Sequence, residues 1–378
     1  MNNRLEKIKS ICFNGVIIIL ITILLISLLE IGAKIILISR VSKEKVKIEK
    51  KQNINRSNED DQEASKYKMG KPGLVYEPYF LFKHGDVESK SFNIENGFRK
   101  TINKIDSNTA LNMNIFMFGG STMFCQSSKD QYTIPSVVSD LLNKNSDSLN
   151  FIINNYSAGG YLNDQEVILM VRLLMEGKIP DIVIFYDGVN DVINKVSRGQ
   201  PHYLYRSFDR SEKYAPFFLR LINAISSRSS IVKLIRGGGE VYASDKNVLK
   251  QRIEKMMSDY TNNIEFVKKL SESFGFDYYF LWQPNILTTK KKLTDFELSI
   301  LQNDQTKQIK QAYLLAQNYL LESPIIDKKF FDLTNVFDNT DETVLMDFAH
   351  VNSIGHEVVA NRIYNILVNM KLSGNTTK

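Results

Sequence analysis

The sequence predicts an α/β domain of three layers, with helices on both faces of a mostly parallel β-sheet, preceded by one membrane-spanning helix. Short, nearly continuous apolar runs recur at Asn114–Phe118, Phe151–Asn155, Asp181–Tyr186 and Phe276–Trp282, with a weaker one at Phe330–Leu333. Strands that read this way are buried on both faces, as in a parallel sheet. Helical patterns fill the gaps, and such alternation implies right-handed crossovers. Ahead of them all, twenty residues from Ser10 to Leu29 carry no charge.

That first run is long enough, as a helix, to cross a hydrocarbon core of about 30 Å. The apolar pattern continues past Glu30 and Lys34 to Ile38, so residues 11–38 are the expected anchor and 1–10 its flank. No small-residue cleavage site follows, which favours an uncleaved span over a signal peptide. Arg4, Lys7 and Lys9 precede the span; Lys34, Arg40, Lys43, Lys45, Lys47, Lys50 and Lys51 lie at its end or follow it. A literal count of these charges keeps the domain in the cytoplasm, yet long domains translocate largely regardless of flanking charge. The basic residues suit anionic headgroups. An outward-facing domain is the expectation.

Residues 39–70 turn from basic to polar and read as a tether, with the folded domain spanning 71–378. Residues 1–51 hold ten Lys/Arg and four Asp/Glu, which is the whole net charge of +6. The remainder is neutral, so the basic pI gives no reason to expect nucleic acid as a partner. Two cysteines, Cys12 and Cys125, make no disulfide framework, and four histidines leave little for structural zinc. No cofactor or metal is expected.

Within the domain, aromatics cluster at Tyr76, Tyr79, Phe80 and Phe82, a packing pattern more than a stacking platform. Asn163-x-x-Glu166 has capping-box spacing at the head of one helix. Leu249, Ile253, Met256, Tyr260, Ile264, Val267 and Leu270 form the stripe of another, stopped at Gly275. Ser353 to Met370 reads as the last helix. Residues 193–248 interrupt the alternation, either as a helical insertion packed on the domain or as a lid or membrane-touching surface. Their Gly237-Gly238-Gly239 lacks the Lys-Ser/Thr of a phosphate loop.

In open α/β sheets, ligands sit at the carboxyl ends of strands. Ser121, Gly160 and Asn190 each follow a predicted strand. A serine hydroxyl needs a base, and His350 is the candidate, with Asp347 three residues earlier to orient its ring. Backbone N–H groups of Ser121 and Gly160 and the Asn190 amide would meet the oxyanion. Taken singly, each has a plainer reading: a glycine turn, a helix cap, a surface histidine. Gln283-Pro284-Asn285 reads equally as a cleft lining or a turn, and His356 as a helix-surface residue.

Phe118-Gly119-Gly120-Ser121, Ser157-Ala158-Gly159-Gly160, Gly188-Val189-Asn190-Asp191 and Asp347-Phe348-Ala349-His350-Val351-Asn352 together resemble the four blocks of the SGNH (GDSL-like) hydrolases, over roughly residues 110–370. Gly120 stands where the family has the Asp of Gly-Asp-Ser. The resemblance implies an SGNH/flavodoxin-like sheet and a serine hydrolase with Ser121, His350 and Asp347 catalytic and Ser121, Gly160 and Asn190 forming the oxyanion hole. For an anchored, extracytoplasmic member it implies an esterase on O-acyl, foremost O-acetyl, groups of an envelope or exported polysaccharide. Three alternatives stay open: an O-acyltransferase using the same serine, a lipid esterase, and a catalytically silent glycan-binding scaffold.

Overall fold

Two compact units divide the chain, Met1–Ile54 with Asp209–Val241, and Asn55–Phe208 with Tyr242–Lys378. The structure, a computed structural model, describes residues 13–36 except 19 and 23, 73–106, 111–126, 128–198, 229–230, 246–302, 304–322 and 328–374. The expected tether, Cys12 and most of the 193–248 insertion, with its triple glycine, lie outside these residues.

In the first unit, helix α1 (Phe13–Ile36) is long and apolar enough to cross a membrane by length and composition. Its Thr22 hydroxyl donates to Ile18 O at 2.8 Å, so the side chain meets its needs within the helix. Glu30 accepts hydrogen bonds from Ser229 Oγ at 2.9 Å and from the Ser230 N–H.

The second unit opens with two antiparallel hairpins, β1 (Leu74–Glu77) with β2 (Leu81–His84), and β3 (Ile94–Glu95) with β4 (Phe98–Arg99). There follow β5 (Asn112–Gly119), the single turn α2 (Ser121–Phe124), α3 (Ile134–Lys144), β6 (Asn150–Asn155), α4 (Asn163–Met175) and β7 (Ile182–Asp187). Past Val189–Asp191 the chain makes a π-helical turn, Val192–Arg198, with Val192 and Val196 buried. Among the described residues there follow α5 (Lys246–Phe274), β8 (Asp277–Trp282), α6 (Asp295–Leu301), α7 (Asp304–Glu322), β9 (Phe330–Asp332) and α8 (Ser353–Gly374).

Every predicted run becomes a strand of one parallel sheet, ordered β6-β5-β7-β8-β9. Helices α3 and α8 pack together as one outer layer, and α5 joins α4 and α7 as the other. The fold is thus the three-layer α/β/α arrangement expected. Phe118, Phe185 and Phe280 are register neighbours and stack across β5, β7 and β8 with centroids 5.2 and 4.6 Å apart. Flat aromatic faces at strand spacing hold the sheet centre by dispersion and area burial.

Strand β6 is an edge, and two asparagines close it. Asn143 donates to Phe151 O and accepts from Phe151 N at 3.0 and 2.8 Å; Asn103 does the same for Ile153 at 3.1 and 2.9 Å. Side-chain amides there imitate a neighbouring strand and deny the edge to another chain.

Two local expectations are corrected. The cap of helix α4 is Leu162, one residue earlier than the capping-box reading placed it: the Gln165 side-chain oxygen, not Glu166, accepts from the Leu162 N–H at 3.2 Å. Asn163 and Glu166 are instead fully buried. Among the four clustered aromatics, Phe80 and Phe82 are core, whereas Tyr76 and Tyr79 stay exposed.

Candidate active site

Connecting β5 to its neighbours reverses direction: the chain goes first to β6 on one side, then to β7 on the other. A crevice opens at the carboxyl ends of strands flanking such a switch point. Ser121 leaves β5 there, and Asn190 leaves β7.

Tight backbone contacts shape the turn that carries Ser121. A Cβ on Gly119 would lie 2.7 Å from Tyr186 O, so only glycine lets β5 turn against β7 here. Ser121 opens the one-turn helix α2, and its N–H, at the first helical position, has no intrahelical acceptor. Cys125 closes the turn with φ 52°. Its thiol is buried, and burial pushes the thiol pKa up to about 12.

Two tight antiparallel contacts present His350. Leu345 and Val351 form a bridge, and Met346 N donates to His350 O at 2.8 Å. Asp347 Oδ1 accepts from the N–H groups of Ala349 and His350 at 2.9 and 2.8 Å, fixing the Asp-x-x-His turn. Its other oxygen meets His350 Nδ1 at 2.7 Å, and His350 Nε2 meets Ser121 Oγ at 2.6 Å. Burial opposes charge on both partners. Their mutual attraction and hydrogen bond nonetheless raise the His350 pKa and, with the two backbone N–H groups, hold Asp347 below the usual carboxylate range. The side chains stay 23% and 47% exposed, so that burial is partial.

The four blocks converge. Asn190 donates one amide hydrogen to Tyr161 O at 2.9 Å, tying the third block to the second. Gly160 has φ +88°, a left-handed conformation that suits glycine. Asn155 Oδ1 accepts from Ser157 N and Ser157 Oγ, shaping the approach to that glycine.

Several supports were not legible in the sequence. Glu297 is completely buried with Lys291, 2.9 Å away. Its Oε1 accepts from Val344 N and Leu345 N, both at 3.0 Å, and so pins the loop that carries Asp347 and His350. Behind Asn190, the carboxyls of Glu166, Asp187 and Asp191 are buried together. Burial first, then the neighbouring carboxylates, push the Glu166 and Asp187 pKa values up; Asp191 is raised chiefly by burial. Asp187 accepts from Tyr260 OH and Asn163 Nδ2, both at 2.6 Å. Only the capping-box spacing drew attention to Asn163 and Glu166, and for another reason.

The structure also relocates two residues. Gln283 is buried and exchanges hydrogen bonds with Thr122 Oγ1, the shorter at 3.1 Å, bracing the residue after Ser121. His356 is 2% exposed rather than on the helix surface; its Nδ1 lies 3.0 Å from Ser128 Oγ. His356 lies in line with Val359, Ala360 and Ile363 on the buried face of α8, which packs against α3. Among the described residues, no group of three or more His, Cys, Asp or Glu is placed to hold a metal ion.

No family model and no curated protein sequence matches the chain. Similar solved structures include the acetyl xylan esterase AlAXEase, 14% identical, covering 67% of this chain and 98% of that one at a TM-score of 0.37. Another is the acetylxylan esterase Axe2 from Geobacillus stearothermophilus, 13% identical, covering 67% and 93% at 0.33. A third is the psychrotrophic esterase EstA from a Pseudoalteromonas species, 11% identical, covering 68% and 97% at 0.35. At such identities and TM-scores these likenesses add nothing to what Ser121, His350 and Asp347 say about chemistry.

Proposed function

We propose that this chain is a membrane-anchored serine esterase that removes O-acyl, foremost O-acetyl, groups from an envelope or exported polysaccharide. The observation that carries it is the unbroken chain of contacts Ser121 Oγ, His350 Nε2, His350 Nδ1 and Asp347 Oδ2, at 2.6 and 2.7 Å. Ser121 Oγ attacks the ester carbonyl while His350 takes its proton; Asp347 stabilises the imidazolium. The oxyanion meets the Ser121 and Gly160 N–H groups and the second amide hydrogen of Asn190. Collapse expels the sugar alcohol, protonated by His350. Water, deprotonated by the same imidazole, then attacks the acyl-serine and frees the acid and Ser121.

The resemblance of the four blocks and the apolar helix α1 support the glycan and the outward orientation. The decisive test uses the full chain in detergent against p-nitrophenyl esters of increasing chain length, with a fluorophosphonate probe alongside. Acetate should be the preferred ester, and the probe should label Ser121 alone. Ser121→Ala should lose both activities while remaining folded. Long-chain preference would point to lipid esters, and an inert, unlabelled chain would refute the esterase.

A further inference from the structure

We propose that the N-terminal arm, Leu74–Arg99, is a positioning element of this active site, and that His84 is the residue through which it holds the Gly159–Gly160 turn. The inference rests on the esterase reading for its kinetic consequence. The arm lies outside the stretch that resembles the hydrolase blocks, yet it touches both backbone elements assigned to the oxyanion.

Alternate residues from Phe80 through strand β2 make the first contact. Phe80 O accepts from Gln165 Nε2 at 2.8 Å, Phe82 O accepts from the Tyr161 hydroxyl, and His84 Nε2 accepts from Gly159 N at 3.3 Å. Three acceptors, two residues apart, thus grip the segment from Gly159 to Gln165. Tyr161 is also the residue whose carbonyl holds the Asn190 amide. Two oxyanion donors therefore depend on the position of this one segment.

The second contact is with the nucleophile turn. The His84 ring stacks on Phe124, the last residue of α2, with centroids 4.6 Å apart. Arg99, fully buried with its guanidinium 3.7 Å from the Phe92 ring centroid, donates to Cys125 O at 3.2 Å and Ser128 O at 2.6 Å. Its charge is balanced by Asp130 at 2.8 Å. One arm thus fixes both the turn that bears Ser121 and the loop that bears Gly160.

His84 is 1% exposed, and its Nδ1 has no hydrogen-bond partner among the described residues. To accept from a backbone N–H, Nε2 must be unprotonated, which puts the single proton on Nδ1. A protonated ring would present two N–H groups facing each other, and burial, which lowers the His84 pKa to about 4, disfavours that state. The ring is a fixed acceptor at neutral pH and takes no part in proton transfer.

Two variants of the full chain test this. His84→Phe keeps the ring volume and the stack on Phe124 but removes the acceptor, whereas His84→Gln restores an acceptor oxygen. His84→Phe should lower kcat roughly 10- to 100-fold, the scale of a misplaced catalytic group, with KM within about twofold, and His84→Gln should recover most of it. Wild-type kcat in His84→Phe, or equal losses in both variants, would overturn the proposal. The ring tautomer gives a readout that needs no turnover. In ¹⁵N-histidine spectra of the unmodified chain His84 should carry its proton on Nδ1 at neutral pH, and a proton on Nε2 would overturn the assignment. A chain without esterase activity would refute the proposed function and leave the tautomer test standing.

Discussion

The Asn190 amide nitrogen occupies the space into which any Gly120 side chain would project; it is the first atom a Cβ there would meet. Gly120 has φ −81°, a conformation open to every residue, so the glycine is required by contact and not by backbone strain. Here the Asn190 amide comes in over a residue without a side chain. Gly120→Ala should displace that amide and lower kcat like Asn190→Ala, by about 2.7–4 kcal/mol or 10²–10³-fold. The double variant should lose little more than either single one, since both remove the same donor. Steady-state kinetics of the three variants check this, and additive losses would mean that Gly120 acts on something else.

Asp347 and His350 fix the pH dependence. The attraction between them raises the imidazole pKa above its ordinary 6.5, and the base must be neutral to take the Ser121 proton. Accordingly, kcat/KM should rise with pH through a single ionisation above 6.5 and then level off. Asp347→Asn removes the charge that raises the pKa, so the acid limb should move to lower pH while the plateau falls about 10⁴-fold. A profile flat between about pH 5 and 8 would rule out His350 as the base.

How much of this was legible in the sequence follows from the range of the interactions. Buried strands announce themselves as apolar runs, and all five were found within two residues at either end. The serine and asparagine blocks were visible because each is a local turn at the end of such a run, and the histidine block because it is a local turn just before the last helix. The supporting residues were not, because their reasons are long-range. His84, Arg99 and Glu297 are polar side chains in ordinary-looking stretches, and each acquires meaning only from backbone atoms some 25 to 75 residues away. His356 was read as a surface residue from its polarity alone, although it shares the helix face of Val359, Ala360 and Ile363, which is buried.

Glu166, Asp187 and Asp191 make the fold sensitive to alkali. Their folded pKa values lie above those of free carboxyls, so the folded chain binds more protons than the unfolded chain above about pH 4. Stability from these groups is therefore complete below that pH and is lost as pH rises through the folded pKa values. Thermal melts of the wild type should show a falling Tm from pH 5 to pH 9. Glu166→Gln, neutral at every pH and nearly the same shape, should flatten that slope and match or exceed the wild type at pH 9. An unchanged slope in the variant would show that Glu166 holds no proton in the native state.

The proposed orientation makes its own prediction. Helix α1 followed by a neutral domain should carry the active site to the far side of the membrane, despite the basic residues at and beyond its end. A reporter active only outside the cytoplasm, fused after residue 378, should be active, and its cytoplasm-only counterpart should be silent. The reverse pattern would remove the envelope polysaccharide from consideration and leave the Ser121 chemistry untouched.

Glu297 and Lys291 separate the stability of the catalytic loop from its alignment. Both side chains are 0% exposed, so removing one charge strands the other in the interior at a cost of about 3–5 kcal/mol. Glu297→Gln still offers an oxygen to Val344 N and Leu345 N, so the loop bearing Asp347 and His350 keeps its anchor. That variant should melt well below the wild type yet retain near-normal kcat at temperatures where it is folded. Glu297→Leu loses the anchor as well, and its kcat should fall at least tenfold, as expected when a base shifts relative to its nucleophile. Adding Lys291→Met to Glu297→Gln removes the stranded ammonium and should recover much of the lost Tm. If Glu297→Gln melts with the wild type, the buried ion pair contributes nothing to stability.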